Sequence, residues 1–254
     1  MKVFVLNKTR AIAYLSLVFC AVLMVVAGFK TSDTVIADTS DKLLPIYSVE
    51  KGTEKVCALT FDAAWDDTDT DILIDTLKKY NAPATFFMVG SWVEKYPDSV
   101  KKFHEAGHEI MNHSDTHPHI DKLSDKKIAE ELKNCSDKIE ALTKVRPILF
   151  RGPYGEYNNA VIKEATNQNM FTVQWNIDSL DWKNLSAEEI VTRVTNRITP
   201  GSIILFHNGA KNTPEALPQV LEKLTSAGYK FVKASELIYK ENYTIDHSGK
   251  QIPG

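Results

Sequence analysis

Two histidines four residues apart, His113 and His117, are the residues in this sequence best placed by type and spacing to do chemistry. They follow a short apolar run, and Pro118 comes directly after the second histidine. Imidazole is a common ligand for zinc, cobalt and similar divalent ions. On a helical turn, positions i and i+4 share a face, and proline forbids a longer helix beyond that point. The spacing predicts a divalent metal site, with zinc or cobalt as the ion. The alternative is two surface loop histidines.

Two more polar residues stand where apolar, strand-like runs end. Asp62 closes the run that begins at Val56, and His207 closes the run that begins at Ser202. In a β/α architecture the C-terminal strand ends meet on one face, and that face carries the chemistry. A single aspartate at such a position is usually a helix cap or loop anchor. Beside the two histidines, however, it indicates a hydrolytic site.

Two other segments could complete such a site. Arg151 precedes a Gly-Pro-Tyr-Gly turn at residues 152–155. The arginine could keep a buried carboxylate ionised, and the turn could aim backbone N–H groups at a developing oxyanion. An ordinary turn with a surface arginine is the alternative. Further on, Asp178 and Asp181 lie beside Trp182, and either carboxylate could raise the pKa of the strand-end histidine and suit it to donate a proton. Trp182 as plain core is the bland alternative.

The elements needed to position these residues follow from a regular alternation. Strand-like and helical segments alternate about seven times between residues 55 and 240, which predicts parallel strands, right-handed crossovers and an α/β fold. An open doubly wound sheet and a closed barrel both fit, and polar residues at several strand ends favour the barrel. Ser186 with Glu189 predicts a helix-capping box. We expect residues 31–54 to form a polar linker and residues 241–254 a loose tail.

Residues 1–30 have the composition of a signal peptide or an uncleaved signal-anchor helix. Lys2, Lys8 and Arg10 precede residues 11–29, which carry no charge. That length is close to the roughly 20 residues needed to span a bilayer and exceeds the usual signal-peptide core of about 7–15, so it favours the anchor. The stretch also contains a V-x-A cleavage site, so a cleaved signal peptide and a secreted protein are the alternative. The positive residues precede the span, which predicts membrane attachment and an extracytoplasmic location for everything after it.

Composition narrows the class of protein. The chain has 254 residues, of which 43% are hydrophobic and 25% charged, with a net charge of −3, as in ordinary globular proteins. Its few lysine clusters fit solvated helix faces, so we expect no nucleic-acid partner. We also expect a monomer. Cys57 and Cys135 are expected to be separate core residues rather than a disulfide.

Five segments, taken in order, resemble the five motifs of the polysaccharide deacetylase family, also called the NodB-homology or carbohydrate esterase family 4 domain. They are Thr60-Phe61-Asp62, His113 to Pro118, Arg151 to Tyr154, Asp178 to Trp182, and Leu205-Phe206-His207. Five motifs in the right order are far more specific than any single one. The resemblance spans roughly residues 53–240. It implies a distorted (β/α)7 barrel that removes N- or O-acetyl groups from chitin, peptidoglycan or xylan.

The resemblance also implies a role for each motif residue. Asp62 would be the general base and His207 the acid that protonates the leaving amine. The metal would be held by His113 and His117. The other roles would be to orient Asp62 (Arg151), to tune His207 (Asp181 or Asp178), to bind the oxyanion through a backbone N–H (Tyr154) and to wall the acetyl pocket (Leu205 and Trp182).

One position departs from the family pattern. The second aspartate of the first motif, normally a metal ligand, is Ala63 here. Two histidines are fewer than the three protein ligands usual for catalytic zinc. Asp62 could itself ligate the metal, or water or a nearby acid such as Asp66 could fill the gap, with Asp115 a weaker candidate. The Thr-Phe-Asp-Ala-Ala-Trp variant resembles the PdaB-like branch associated with bacterial sporulation.

Two functional hypotheses follow. The first is an exported hydrolase that removes N-acetyl groups from cell-wall glycan, with peptidoglycan as the expected substrate. The second is a catalytically weak or inactive glycan-binding protein of the same fold, acting in sporulation or cell-wall assembly.

Overall fold

A mostly parallel β-sheet lies at the centre of residues 42–254, the part of the chain that the computed structural model describes. Its strands are β1 Ser48–Val49, β2 Val56–Ala63, β3 Ala84–Met88, β4 Glu109–Asn112, β5 Leu149–Phe150, β6 Phe171–Thr172, β7 Ile177–Asp178, β8 Ser202–His207, β9 Lys230–Val232, β10 Tyr243–Ile245 and β11 Lys250–Pro253. The helices are α1 Thr70–Lys79, α2 Gly90–Lys95, α3 Pro97–Glu105, α4 Asp125–Thr143, α5 Asn159–Asn167, α6 Ala187–Thr195, α7 Thr213–Ser226 and α8 Ala234–Leu237.

The sheet is strongly curled. Its strand order is β10-β11-β1-β8-β2-β3-β4-β5-β6, with β7 paired to β8 and β9 paired to β2. The strands from β8 to β6 in this order are parallel. Just after β6, Val173 forms a parallel bridge with Ile46, which lies just before β1, so the β6 end of the sheet curls back towards β1. The predicted α/β class is confirmed. A closed barrel of seven strands stays a prediction.

The central strands are buried on both faces because helices cover the outside and the curl covers the inside. All residues of β2 are buried. On the outer face Phe61 stacks on Phe86 and Phe206, with ring centroids 4.8 and 5.5 Å apart. On the inner face Ala58 packs in a second cluster with Phe87. Apart from Thr60 and Asp62, β2 is apolar on both faces instead of alternating, as expected for a parallel strand.

Two predictions about the ends of the domain are wrong. The segment expected to be a linker contributes β1 and the Ile46 bridge, and Val49 is completely buried. The expected loose tail forms the β10–β11 hairpin, whose second strand pairs with β1. Gln251 explains part of this order, because its buried side chain exchanges hydrogen bonds with the backbone of Tyr239 at 2.7 and 2.8 Å. The polar composition of these segments did not indicate ordered structure, because few apolar residues take part in the contacts.

Local predictions fared better where side-chain chemistry fixes a boundary. The capping box of Ser186 and Glu189 is present at the start of α6, so that prediction is confirmed. Cys57 and Cys135 are buried free thiols, as expected. Within residues 42–254 no helix is long and apolar enough to cross a membrane. The predicted signal peptide or anchor helix lies outside the described residues.

His108 makes stability depend on pH. Its Nδ1 accepts the N–H of Ala84 at 3.2 Å, and Nε2 is buried and has no partner among the described residues. Burial, helped by the charge of Lys233, lowers the pKa of His108 from 6.5 to about 4. Between those two values the unfolded chain binds a proton that the folded chain lacks, so stability falls as the pH falls.

We therefore predict that acidification from pH 7 to pH 4.5 lowers the free energy of unfolding of the wild type more than that of His108→Gln. The difference should be about 2–3 kcal/mol. The glutamine carbonyl can still accept the Ala84 N–H, but it does not titrate. Urea unfolding at the two pH values measures the difference. An equal loss in both proteins would contradict this assignment.

Candidate active site

Asp62 and His207, two residues of the site, are direct neighbours on adjacent parallel strands. They are paired in the register of β2 and β8, so the two side chains leave the sheet on the same side. Both line a pocket of about 440 Å³ at the C-terminal ends of the strands. The pocket also contacts six other residues predicted for the site: His113, His117, Tyr154, Asp178, Trp182 and Leu205.

Arg151 lies behind Asp62 and fixes it. Its guanidinium is completely buried, and Nη1 donates to Asp62 Oδ1 at 2.7 Å. The other donors are directed elsewhere, since Nη2 bonds the carbonyl of Gln174 and Nε that of Val173. Burial alone would raise the pKa of Asp62, but the charge and hydrogen bond of Arg151, with a smaller contribution from His207, outweigh burial and hold that pKa below its ordinary value. Asp62 is therefore ionised at neutral pH, as a general base must be.

His207 is held by Asp181. Its Nδ1 lies 2.8 Å from Asp181 Oδ1, and its backbone N–H donates to Asp181 Oδ2 at 2.7 Å. Thr213 also donates its hydroxyl to Oδ2, so the carboxylate cannot rotate freely. Burial lowers the pKa of His207, but the hydrogen bond and charge of Asp181 outweigh burial and raise it above the ordinary value. The imidazolium form is favoured, as a proton donor needs.

Asp178, the other carboxylate considered for this role, makes no hydrogen bond to His207. Its Oδ1 accepts the N–H of Leu180, and burial raises its pKa. Asp178 still lines the pocket and favours the charged form of His207 through space. The two aspartates therefore differ: Asp181 contacts His207 directly, whereas Asp178 acts on the charge of His207 from a longer distance.

The two histidines lie in a loop, not on a helical turn, so that part of the prediction is wrong. Ser114 and His117 have left-handed backbones with φ of +68° and +60°. The loop still brings the rings together, with centroids of His113 and His117 5.1 Å apart. Burial lowers the pKa of His113 and takes that of His117 to about 4, so both are neutral at physiological pH.

The chemistry of these donors can be compared with the needs of a divalent ion. His113 Nδ1 donates to the carbonyl oxygen of Arg151 at 2.8 Å, which leaves the lone pair on Nε2. A hydrogen bond from the other ring nitrogen to a backbone carbonyl, which fixes the tautomer and the ring orientation, is typical of metal-binding histidines. The nearest carboxylate oxygen is Asp62 Oδ2, 3.6 Å from Nε2. The residues fit an ion held through two imidazoles, although no group of three His, Cys, Asp or Glu within residues 42–254 is placed to hold one.

The residues considered as substitutes for the missing ligand are engaged elsewhere. Asp115 pairs with Lys138 at 2.6 Å, and Asp66 accepts both the N–H and the hydroxyl of Thr68. Ala63 itself is fully buried in the cluster that faces the helices.

Aromatic side chains form the rim of the pocket. Tyr154 has a left-handed backbone with φ of +59° and a side chain that is 61% exposed. Its ring lies between those of His117 and His119, with both centroids 4.6 Å away. Trp182 is 46% exposed on the rim, whereas Leu205 is buried in the wall. Half-exposed aromatic rings around a polar centre suit a sugar, which offers both apolar ring faces and hydroxyl groups.

Sequence reasoning missed several contributors. Trp65 stacks on His207 with centroids 5.2 Å apart, and Trp175 also lines the pocket. Thr213 buttresses Asp181 from the start of α7. The only available hint for Trp65 was its nearness to Asp62. Nothing in the sequence pattern pointed to Thr213, because its role depends on contact with a residue 32 positions away.

Comparison with known proteins identifies the group to which this site belongs. Residues 50–173 match the model of the polysaccharide deacetylase family. A peptidoglycan-N-acetylglucosamine deacetylase from Bacillus cereus is 39% identical over 190 residues, which cover 73% of this chain and 89% of that protein. The chain belongs to the polysaccharide deacetylase family. Within that family, the peptidoglycan-N-acetylmuramic acid deacetylase PdaC of Bacillus subtilis is 36% identical over 72% of this chain. The match covers only 39% of the length of PdaC.

Similar solved structures include a member of the family that is a pseudoenzyme. A CE4-family pseudoenzyme from Bacillus anthracis superposes with a TM-score of 0.74 at 35% identity, covering 76% of this chain and 68% of that one. A mutant of that pseudoenzyme with restored enzymatic activity superposes equally well, at 36% identity over 76% of this chain and 70% of the mutant. The polysaccharide deacetylase family therefore includes both active and inactive members similar to this chain.

Proposed function

We propose that the chain is a hydrolase that removes N-acetyl groups from cell-wall glycan, with peptidoglycan as its substrate. The observation that carries the proposal is that one pocket holds both a residue suited to be a base and a residue suited to be an acid. Asp62 is kept ionised by Arg151, and Asp181 raises the pKa of His207 and so favours its protonated form. Groups whose environments push their pKa values apart serve as base and acid in the same reaction. Family relatives named as peptidoglycan deacetylases support the choice of substrate.

The chain's own residues account for the bond changes in amide hydrolysis. Asp62 takes one proton from a water molecule while the oxygen of that water bonds to the acetyl carbon. The N–H of Tyr154 stabilises the negative charge on the carbonyl oxygen. His207 gives its proton to the nitrogen as the C–N bond breaks, and a free amine and acetic acid leave, the acid ionising to acetate in solvent. The proton on Asp62 then returns to His207 through solvent, which restores both groups. Leu205 and Trp182 surround the methyl group.

A divalent ion, zinc or cobalt, completes the proposal. His113 and His117 would hold it, with Asp62 Oδ2 as the closest carboxylate oxygen. When bound, the ion supplies Lewis acidity that lowers the pKa of water and polarises the acetyl carbonyl. Two imidazoles form a weaker site than three ligands, so we expect micromolar or weaker affinity instead of permanent occupancy.

The location of the activity is also a proposal. We propose that the domain built around residues 55–240 acts as a deacetylase in the cell envelope, as a monomer. Residues 1–30 would either anchor the chain in the membrane or direct its secretion. The Ala63 variant motif supports placement in the PdaB-like sporulation branch.

A second candidate is a glycan-binding protein with little turnover. Ala63 in place of the usual aspartate and the similarity to a pseudoenzyme favour it. It shares the aromatic rim with the first candidate but makes no use of the base and acid.

Acetate release distinguishes the two candidates. The full chain would be incubated with N-acetylglucosamine oligomers or peptidoglycan, with and without added Zn²⁺ or Co²⁺, and free acetate would be measured. We predict metal-dependent release that disappears in His113→Ala and persists in His247→Ala, an exposed histidine far along the chain. Glycan binding without acetate from any of these substrates would overturn the hydrolase and leave the second candidate.

A further inference from the structure

One carboxylate from helix α4 holds the loop between the two histidines. Glu131 Oε2 accepts the backbone N–H groups of Asp115 at 2.9 Å and Thr116 at 2.8 Å. Its Oε1 accepts the Thr116 hydroxyl at 2.8 Å. Both oxygens of one side chain are therefore committed to two consecutive loop residues. Hydrogen bonds to an ionised acceptor are about twice as strong as neutral ones.

The loop needs such an anchor because its backbone is unfavourable. Ser114 and His117 both have positive φ, a conformation that residues with a Cβ adopt only when the surroundings impose it. Two other contacts help: Asn112 Oδ1 accepts the Ser114 N–H, and Ser114 Oγ accepts the His117 N–H. These contacts hold the two left-handed residues themselves. Asp115, in the stretch between them, is also tied to helices by its ion pair with Lys138 and by its carbonyl, which accepts the N–H of Ser91. Glu131 is the side chain that holds Thr116, the residue directly before His117.

We propose that Glu131 is a positioning residue that fixes where His117 presents its imidazole and so sets the affinity of the two-histidine site for a divalent ion. The proposal rests on the proposed function, because it assigns the two histidines to a metal. It goes further by placing a determinant of affinity outside the five family motifs, on the first half of α4. Glu131 lies 14 positions after His117 and touches neither imidazole in the described structure.

Two substitutions grade the loss of the anchor. Glu131→Ala removes all three hydrogen bonds. Glu131→Gln keeps an amide oxygen for the two N–H groups, and its NH₂ can donate to the Thr116 hydroxyl, so the geometry survives with weaker bonds. Glu130→Ala is the matched control, because Glu130 is the adjacent acid on the same helix and, within residues 42–254, pairs only with the exposed Lys127, at 2.6 Å.

The position of the His117 ring can be measured without metal and without activity. In the wild type it lies against His113 and Tyr154, with centroids 5.1 and 4.6 Å away, so their ring currents shift its proton resonances in NMR spectra. We expect Glu131→Ala of the full chain to move the His117 ring resonances towards random-coil values. Glu131→Gln should move them less, and Glu130→Ala should leave them in place.

Titration with Zn²⁺ against a chromophoric chelator supplies the second readout. We expect Glu131→Ala to bind about 10–100-fold more weakly than the wild type, the range of loss when a group that orients a metal ligand is removed. Glu131→Gln should recover most of that loss. Unchanged His117 resonances in Glu131→Ala would overturn the inference, and so would an unchanged Zn²⁺ affinity. If the wild type bound no Zn²⁺, the affinity part and the metal assignment would fail together, while the ring resonances would still decide whether Glu131 positions His117.

Discussion

Replacing His207 with alanine is expected to lower kcat for N-acetyl hydrolysis by about 10²–10⁴-fold, the usual contribution of a positioned general acid. The amine is a poor leaving group, so the C–N bond cannot break readily without a proton donor. KM should change much less, because Trp182, Tyr154 and Leu205 still form the pocket. Initial rates of acetate release over a range of oligomer concentrations separate the two parameters.

The fold should survive this substitution. Asp181 loses one partner, but its Oδ2 keeps the backbone N–H of residue 207 and the hydroxyl of Thr213. His247→Ala is the matched control, since it removes an exposed imidazole and should retain full activity. A His207→Ala protein that kept more than a tenth of the wild-type kcat would show that another group donates the proton.

Replacing Arg151 with methionine is expected to lower the free energy of unfolding by about 3–5 kcal/mol, because it leaves the buried carboxylate of Asp62 without its partner. Three bonds from the guanidinium to Asp62, Gln174 and Val173 are lost at once. The pKa of Asp62 should rise, since burial is then opposed by less positive charge. Activity at neutral pH should fall as the base becomes protonated. Chemical denaturation and acetate release measure the two effects.

Two further variants show whether the unpaired charge is the cause. Arg146→Met removes an exposed arginine paired with Asp137 and Glu140, and should cost no more than about 1 kcal/mol. In a double variant, Arg151→Met with Asp62→Leu, much of the lost stability should return while activity stays absent, because an apolar pair replaces a buried ion pair. Stability of Arg151→Met within 1 kcal/mol of the wild type would contradict the structural account of this pair.

The strand-end residues could be predicted because their placement depends on local pattern. An apolar run in a β/α chain is a parallel strand, and the residue that ends it lies at the face where strand ends meet. Asp62 and His207 follow from that rule, and the register of β2 and β8 then makes them neighbours. The order of the five motifs added the pairing with Arg151, whose side chain reaches Asp62 from 89 positions away.

The parts that could not be predicted depend on contacts distant in sequence or on unusual backbone. His113 and His117 have the spacing of a helical pair, yet two left-handed residues turn the segment into a loop. Glu131 stabilises that loop from a helix, where an acidic residue ordinarily indicates solvated surface. Strand β1 and the terminal hairpin were missed because their order comes from pairing with each other, not from an apolar pattern of their own.

The pH dependence of kcat/KM in the wild type and in Asp181→Asn tests the central claim most directly. We expect a bell-shaped profile, with an acid limb from Asp62 below its ordinary pKa and an alkaline limb from His207 above the ordinary 6.5. In Asp181→Asn the charge that raises the pKa of His207 is gone and burial remains, so the alkaline limb should move to lower pH. The maximum rate should fall because less imidazolium is present. An alkaline limb that stays in place in Asp181→Asn would contradict the assignment of His207 as the acid held charged by Asp181.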